Sequence, residues 1–194
     1  MSAVLGEIIY TSTTEIVGQC VRNQPSPAYG SFIRAGRDNA CVGVVYNVET
    51  ASIDPHRRPS ALGVPEDQIQ QYYPQLAGLL RSEFQALLIG SLNGGQFLFG
   101  LPAIPPALHA ETRECGDEEV RRIGEDLGFL RLLYSSGKSS AEELLVSACR
   151  RLLAAYSWER RCAVRIGKAV SELFRDDYDS LRRIAARLEA GMNP

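Results

Sequence analysis

The string with the clearest chemical potential in this sequence is Gly137-Lys138-Ser139, which matches the end of a phosphate-binding P-loop. A P-loop also needs a glycine five positions before the final one, because that residue shapes the loop whose N–H groups surround the phosphates. Leu132 stands there, and the string joins two predicted helices. A helix start explains the same residues, since Ser139 and Ser140 are each followed three positions later by a glutamate, as in a capping box.

Residue sets for metal binding or nucleophilic catalysis are sparse. His56 and His109 are the only histidines, neither lies in a metal-ligand spacing, and no G-x-S-x-G motif occurs. An odd number of widely spaced cysteines without a C-x-x-C pair argues against a disulfide framework or a zinc site and is typical of a reducing cytosol. These cysteines are Cys20, Cys41, Cys115, Cys149 and Cys162. We therefore expect no metal, no cofactor and no catalytic residue.

One candidate interaction surface lies on a long loop. Asp54 and His56 stand there beside Arg57 and Arg58, between Pro55 and Pro59. Prolines keep such a segment extended, and two exposed guanidinium groups are suited to binding carboxylates or phosphates. The alternative is a solvated loop without a ligand.

A second candidate surface is a set of arginines on the predicted helices. Nucleic-acid binding would require them to converge on one face with aromatic side chains available for stacking, and Tyr156 and Trp158 lie nearby. The alternative is a solvated helical surface, because acidic residues are interspersed. The members of this set that we assign to the candidate surface are Arg150, Arg151, Arg160, Arg161 and Arg165.

Charge is distributed unevenly along the chain. The net charge of −2 argues against a general nucleic-acid coat, but residues 138–194 carry 11 Lys and Arg against 8 Asp and Glu. This mildly basic end favours an acidic partner. No run approaches the roughly 18 apolar residues of a membrane span, and no targeting segment is recognisable, so we expect a cytoplasmic protein.

The pattern of the sequence changes at a proline-rich connector, residues 101–106. Before it, short apolar and β-branched runs are separated by Gly, Pro and Asn, which predicts strands. A short helix is predicted to start at Pro65 and to end before Pro74, and Asn93-Gly94 predicts a hairpin. Six strands suffice to close a small antiparallel barrel. They are predicted at Val4–Tyr10, Glu15–Val21, Ala28–Ala35, Cys41–Glu49, Glu83–Leu92 and Gln96–Leu101.

After the connector, apolar residues recur at helical spacing. The sequence therefore predicts an α+β fold, with a six-stranded barrel domain over residues 1–106 and a helical domain of about four helices over residues 107–194. The predicted helices are Glu118–Tyr134, Ala141–Tyr156, Glu159–Phe174 and Asp176–Leu188.

Several segments of the predicted barrel carry a resemblance to a known family. They are Gly6–Tyr10, the two predicted strands that follow it, Val42–Val48 and Gly90–Pro106, and together they resemble the HAS-barrel. This small barrel stands at the N-terminus of HerA-type DNA-translocating ATPases and of ATP synthase subunits. The whole chain resembles stand-alone HAS-barrel proteins of cyanobacteria, without the P-loop ATPase domain. The resemblance implies a barrel that packs against neighbouring barrels or partner proteins.

These observations lead to three functional hypotheses. The first is a non-enzymatic assembly or adaptor protein that contacts a protein partner, or further copies of itself, through the barrel and the helical domain. The alternative is a nucleic-acid-associated accessory factor of a HerA-like DNA-processing system. The third is an enzyme of an unrecognised type, which would require a buried polar pocket with perturbed titratable groups.

Overall fold

A single antiparallel sheet of seven strands dominates the first part of the molecule. The computed structural model describes residues 3–21, 24–37, 39–54, 56, 59–138 and 140–190. The sheet order is β2-β1-β7-β3-β4-β5-β6, and β2 also pairs with β5. That pairing closes six strands into a barrel and leaves β6 outside the ring, so the predicted six-stranded barrel is confirmed. The strands are β1 (Val4–Thr11), β2 (Glu15–Cys20), β3 (Phe32–Ala35), β4 (Ala40–Ser52), β5 (Leu80–Asn93), β6 (Gln96–Phe99) and β7 (Glu111–Glu114).

The sixth barrel strand is not the one that the sequence predicted. The segment after Asn93-Gly94 does form a hairpin with β5, but β6 pairs with no other strand among the described residues. The ring is instead completed by β7, which lies beyond residue 106 and pairs with both β1 and β3. β7 has the sequence ETRE, in which only Thr112 is fully buried. Four polar residues carry no strand periodicity, so the two neighbouring strands determine this conformation.

The barrel interior is filled by apolar side chains of alternate strand positions. Gly18 on β2 stands directly opposite Phe84 on β5. A Cβ atom at Gly18 would lie 2.2 Å from the Phe84 ring, so glycine leaves the space that this ring occupies. The buried interior residues are Leu5, Ile8, Ile16, Cys20, Ile33, Ala35, Cys41, Val45, Phe84, Ala86 and Leu88.

β4 and β5 are longer than predicted and extend beyond the ring. Their pairing continues from Glu49 opposite Glu83 to Ser52 opposite Leu80, whereas β2 pairs with β5 only from Glu83 onward. The excursion between them contains helix α1 (Glu66–Tyr72) and a 3₁₀ turn (Pro74–Gly78). The predicted helix before Pro74 is thus confirmed.

The part of the chain that the structure describes contains five helices after β7 rather than the predicted four. The predicted helix Glu118–Tyr134 is interrupted between Gly124 and Gly128, where the Asp126 carboxylate accepts a hydrogen bond from the Gly128 N–H at 2.8 Å. A Cβ atom at Gly124 would lie 2.9 Å from a methyl carbon of Leu152, so close helix packing occurs at this break. The helices are α2 (Asp117–Ile123), α3 (Phe129–Tyr134), α4 (Ala141–Ala155), α5 (Arg160–Leu173) and α6 (Tyr178–Ala190).

The helices pack on the outer face of the barrel in one continuous core. Val44 on β4 and Ile89 on β5 belong to the same buried cluster as Leu145 on α4. Phe32 on β3 contacts Phe129 on α3 edge to face, with ring centroids 5.7 Å apart. Both rings are completely buried. The barrel therefore presents two apolar surfaces, one to its interior and one to the helices.

Candidate functional site

The loop candidate is only partly described. Asp54 and His56 are exposed, and the Asp54 carboxylate accepts a hydrogen bond from the backbone N–H of His56 at 3.0 Å. This is an Asx turn, in which the side chain fixes its own loop. Arg57 and Arg58, on which the predicted anion site depends, lie outside the described residues.

The five candidate arginines of the helices divide into two groups. Arg150 donates to the backbone carbonyl of Arg187 at 2.6 Å, and Arg165 donates to that of Gly124 at 2.5 Å. Arg151 pairs with the Asp117 carboxylate at 2.9 Å. These three side chains connect helices to one another or to the loops beside them, so they stabilise the helical packing.

Arg160 and Arg161 make up the second group. Both are exposed at the start of α5, and within the described part of the chain neither has a charged partner. Arg161 lines a shallow depression with Tyr156 and Cys162. The candidate set therefore does not form one surface, and two of its five cations remain available to a partner.

Sequence reasoning missed a polar cluster at the junction of barrel and helices. Lys138 donates to the Glu15 carboxylate at 2.7 Å and to the Tyr46 hydroxyl at 3.0 Å, and Tyr46 donates to the same carboxylate at 2.9 Å. The Lys138 ammonium also lies 4.2 Å from the centre of the Tyr46 ring. We call these three residues the junction cluster. Each of its members hydrogen-bonds both of the others.

A β-bulge and a turn bring the junction cluster together. Pairing between β4 and β5 shifts between Val45 and Asn47, which leaves Tyr46 as the extra residue. Bulges re-aim side chains in this way. Lys138 lies in the turn between α3 and α4, so the string that resembles a P-loop joins two helices and directs its lysine to the barrel.

The predicted capping box before α4 is not formed by Ser140. Its side chain makes no cap hydrogen bond and instead accepts one from the Tyr29 hydroxyl at 3.1 Å. Ser140 thus hydrogen-bonds to Tyr29, in the segment between β2 and β3, instead of capping α4. Ser139, the other candidate, lies outside the described residues.

Electrostatics within the junction cluster favour its charged state. The hydrogen bond from Lys138 lowers the pKa of Glu15, and the bond to Glu15 raises the pKa of Lys138. Burial raises the pKa of Tyr46. A lysine that acts as a nucleophile or base needs a lowered pKa, so this arrangement is suited to holding the helices on the barrel rather than to proton transfer.

Exposed apolar side chains concentrate along the connector. Ile104 is 81% exposed, and four further large apolar residues of the segment 98–108 are exposed as well. The Thr11 hydroxyl donates to the Pro106 carbonyl at 2.9 Å, so the end of the connector lies beside β1. Two further large apolar side chains, those of Ile9 and Tyr10, are exposed on β1. We call this set the connector surface. Its members are Ile9, Tyr10, Leu98, Phe99, Leu101, Ile104 and Leu108.

In the described part of the chain, no three His, Cys, Asp or Glu side chains are grouped so that they could hold a metal ion. The five cysteines are buried and unpaired, and burial raises the pKa of Cys149 to about 12. Cys149 and Cys162 belong to the buried apolar cluster that the helices share with the barrel.

The fold defines an α+β protein in which a closed six-stranded barrel carries a layer of helices. No protein-family model matches the chain, and no curated protein matches it. The resemblance to the HAS-barrel family stays a prediction. Among the described helices, none is both long and apolar enough to cross a membrane.

Proposed function

We propose that this chain is a non-enzymatic assembly or adaptor protein that binds a protein partner through the connector surface. The supporting observation is the concentration of exposed apolar side chains along residues 98–108 and β1. Single exposed apolar residues are ordinary, whereas a concentration of them is characteristic of protein interfaces. Prolines at 102, 105 and 106 restrict the connector, which reduces the entropy lost when a partner orders it.

The strands that the helices cover support the same proposal. The helices cover the outer face of β3, β4 and β5, whereas β1 beside the connector keeps Ile9 and Tyr10 exposed. The outer side of β3, β4 and β5 thus binds the chain's own helices, whereas the exposed side chains of β1 and the connector are available to another protein.

The test is recovery of a defined complex from the native cells. The tagged protein would be purified with and without nuclease, beside Ile104→Asp and the control Val164→Asp, an exposed valine on α5. We expect one stoichiometric complex that survives nuclease, is lost with Ile104→Asp and persists with Val164→Asp. A complex unaffected by Ile104→Asp, or a metabolite turnover abolished by a point substitution, would contradict the proposal.

A second candidate function is that of a nucleic-acid-associated accessory factor. The supporting observation is that Arg160 and Arg161 are exposed and have no charged partner among the described residues, with Lys168 also exposed two turns further along α5. Phosphate contacts of this kind make affinity fall steeply with salt. The test is fluorescence anisotropy with labelled DNA and RNA at low and moderate salt. Binding that weakens in Arg160→Gln/Arg161→Gln supports this candidate, and no binding at low salt excludes it.

A further inference from the structure

A cavity of about 340 Å³ opens where two strand-joining turns of the barrel meet α2. Ligand sites in proteins range from about 300 to 1,000 Å³, so the cavity has room for a small molecule. The turn between β3 and β4 contributes Arg37 and Asn39, and the turn between β5 and β6 contributes residues 93–95. Arg34 from β3 and Arg122 from α2 complete the cationic lining.

Arg34 has hydrogen-bonding capacity that the described residues do not use. Its Nη1 donates to the Glu119 carboxylate at 3.0 Å, which orients the guanidinium plane. Its Nε is buried and has no hydrogen-bond partner in the part of the chain that the structure describes. A buried donor without an acceptor costs free energy, so these residues do not fully satisfy the guanidinium group.

Arg37 and Arg122 also carry N–H donors that their contacts with the described residues do not use. Arg37 is largely exposed and uses one nitrogen to contact Glu111 at 3.2 Å. Arg122 contacts Glu118 at 2.5 Å and the Gly95 carbonyl at 3.1 Å. Each guanidinium carries five N–H donors. Glu111 and Glu118 are not part of the lining, and Glu119 is the one acidic residue among the described lining residues.

We propose that this cavity is a binding site for a small phosphate-bearing ligand. Arginine presents paired donors that match phosphate oxygens, and among the described lining residues three arginines stand beside one carboxylate, that of Glu119. The amide side chains of Asn39 and Asn93 add neutral polar groups at the rim, which suit the uncharged part of such a molecule. The lining of this cavity shares no residue with the connector surface, and the proposed site does not depend on the proposed adaptor function.

The probe is pyrophosphate, titrated into the full-length protein by isothermal calorimetry at constant ionic strength. We expect saturable binding with one site per chain, and a thermal midpoint that rises with pyrophosphate concentration, as linkage requires. Arg37→Gln is the primary variant, because this side chain is 81% exposed and its loss leaves no buried group unpaired. We expect an affinity about tenfold lower, and a larger loss in Arg37→Gln/Arg122→Gln.

The control is Arg160→Gln/Arg161→Gln, which removes the same charge from α5. It should bind pyrophosphate like the unmodified protein. The proposal is overturned by an absence of saturable binding, by affinity that Arg37→Gln and the double variant leave unchanged, or by an equal loss in the control, since the last result means attraction by net charge alone. Circular dichroism and urea unfolding of each variant establish that the fold is retained before affinities are compared.

Discussion

The Nζ atom of Lys138 lies 2.7 Å from the Oε2 atom of Glu15, although 123 positions separate the two residues in the chain. Glu15 begins β2, and Lys138 precedes α4. The contact is half-buried and includes Tyr46. Lys138 joins the helical layer to the barrel by two hydrogen bonds, and a third, from Tyr46 to Glu15, links two barrel strands.

Replacing Lys138 by methionine should lower the free energy of unfolding by about 1–2 kcal/mol, because it removes two charge-assisted hydrogen bonds and leaves Glu15 without its cation. Urea unfolding followed by circular dichroism measures this change. Lys168→Met is the matched control, since Lys168 is exposed on α5, and it should change stability by less than about 0.5 kcal/mol. Equal effects of the two substitutions would show that the junction cluster contributes nothing specific.

The pH dependence of stability should report the junction cluster at acid pH. The pKa of Glu15 is lowered in the folded state, so its contribution is present above the unfolded pKa, about 4.5, and is lost as the pH falls through the folded value. The pKa of Lys138 is raised, so its contribution is present below the unfolded value and is lost as the pH rises through the folded one. Glu15→Gln should therefore flatten the stability profile below about pH 4.5. A profile unchanged by Glu15→Gln contradicts this assignment.

Phe129→Ala should destabilise the whole molecule by about 3–5 kcal/mol, because the ring is completely buried against Phe32 between α3 and the barrel. The barrel and the helices share a core, so both should unfold in one transition. Fluorescence of the single tryptophan, Trp158, follows the helices, and hydrogen exchange of barrel amides follows the sheet.

Tyr178→Ala is the control for this prediction, since its ring is 74% exposed. It should leave stability almost unchanged. Two separate transitions in the unmodified protein would mean that the continuous core does not make the barrel and the helices one cooperative unit.

Ser157→Gly should stabilise the protein by about 1 kcal/mol. Ser157 follows α4 with φ of 50°, a left-handed conformation that costs a non-glycine residue about 1–2 kcal/mol. Ser171→Gly is the matched control, because Ser171 lies within α5, where glycine costs about 1 kcal/mol. Thermal or urea unfolding measures both variants. Destabilisation by Ser157→Gly would mean that its φ is not a source of strain.

Strands and helices with clear periodicity were predictable from the sequence. The run CVGVVYNVE forms the central part of β4, and the Asn93-Gly94 turn joins β5 to β6. Apolar residues at helical spacing likewise locate α4, α5 and α6. In the helices burial recurs at the helical period, and in β4 a nearly continuous apolar run is buried, so local residue order carries the information.

The candidate sites were less predictable, because they depend on contacts between distant segments. Arg151 and Arg160 both belong to the candidate set of helical arginines. In the structure Arg151 pairs with Asp117, whereas Arg160 is exposed. The junction cluster required the bulge at Tyr46 and the docking of the α3–α4 turn. The positions of arginines in the sequence do not distinguish a side chain that joins two helices from one that is exposed to solvent.

The amino-acid order by itself determined the division into a strand-rich first part and a helical second part, and it determined the α+β class. Only the tertiary structure decided which strand completes the ring, since ETRE becomes β7 through hydrogen bonds from β1 and β3. It also brought three arginines to one cavity and Lys138 to Glu15. The physical reason is that periodicity records which face of an element is buried, whereas partners distant in sequence are selected by the packing of whole elements.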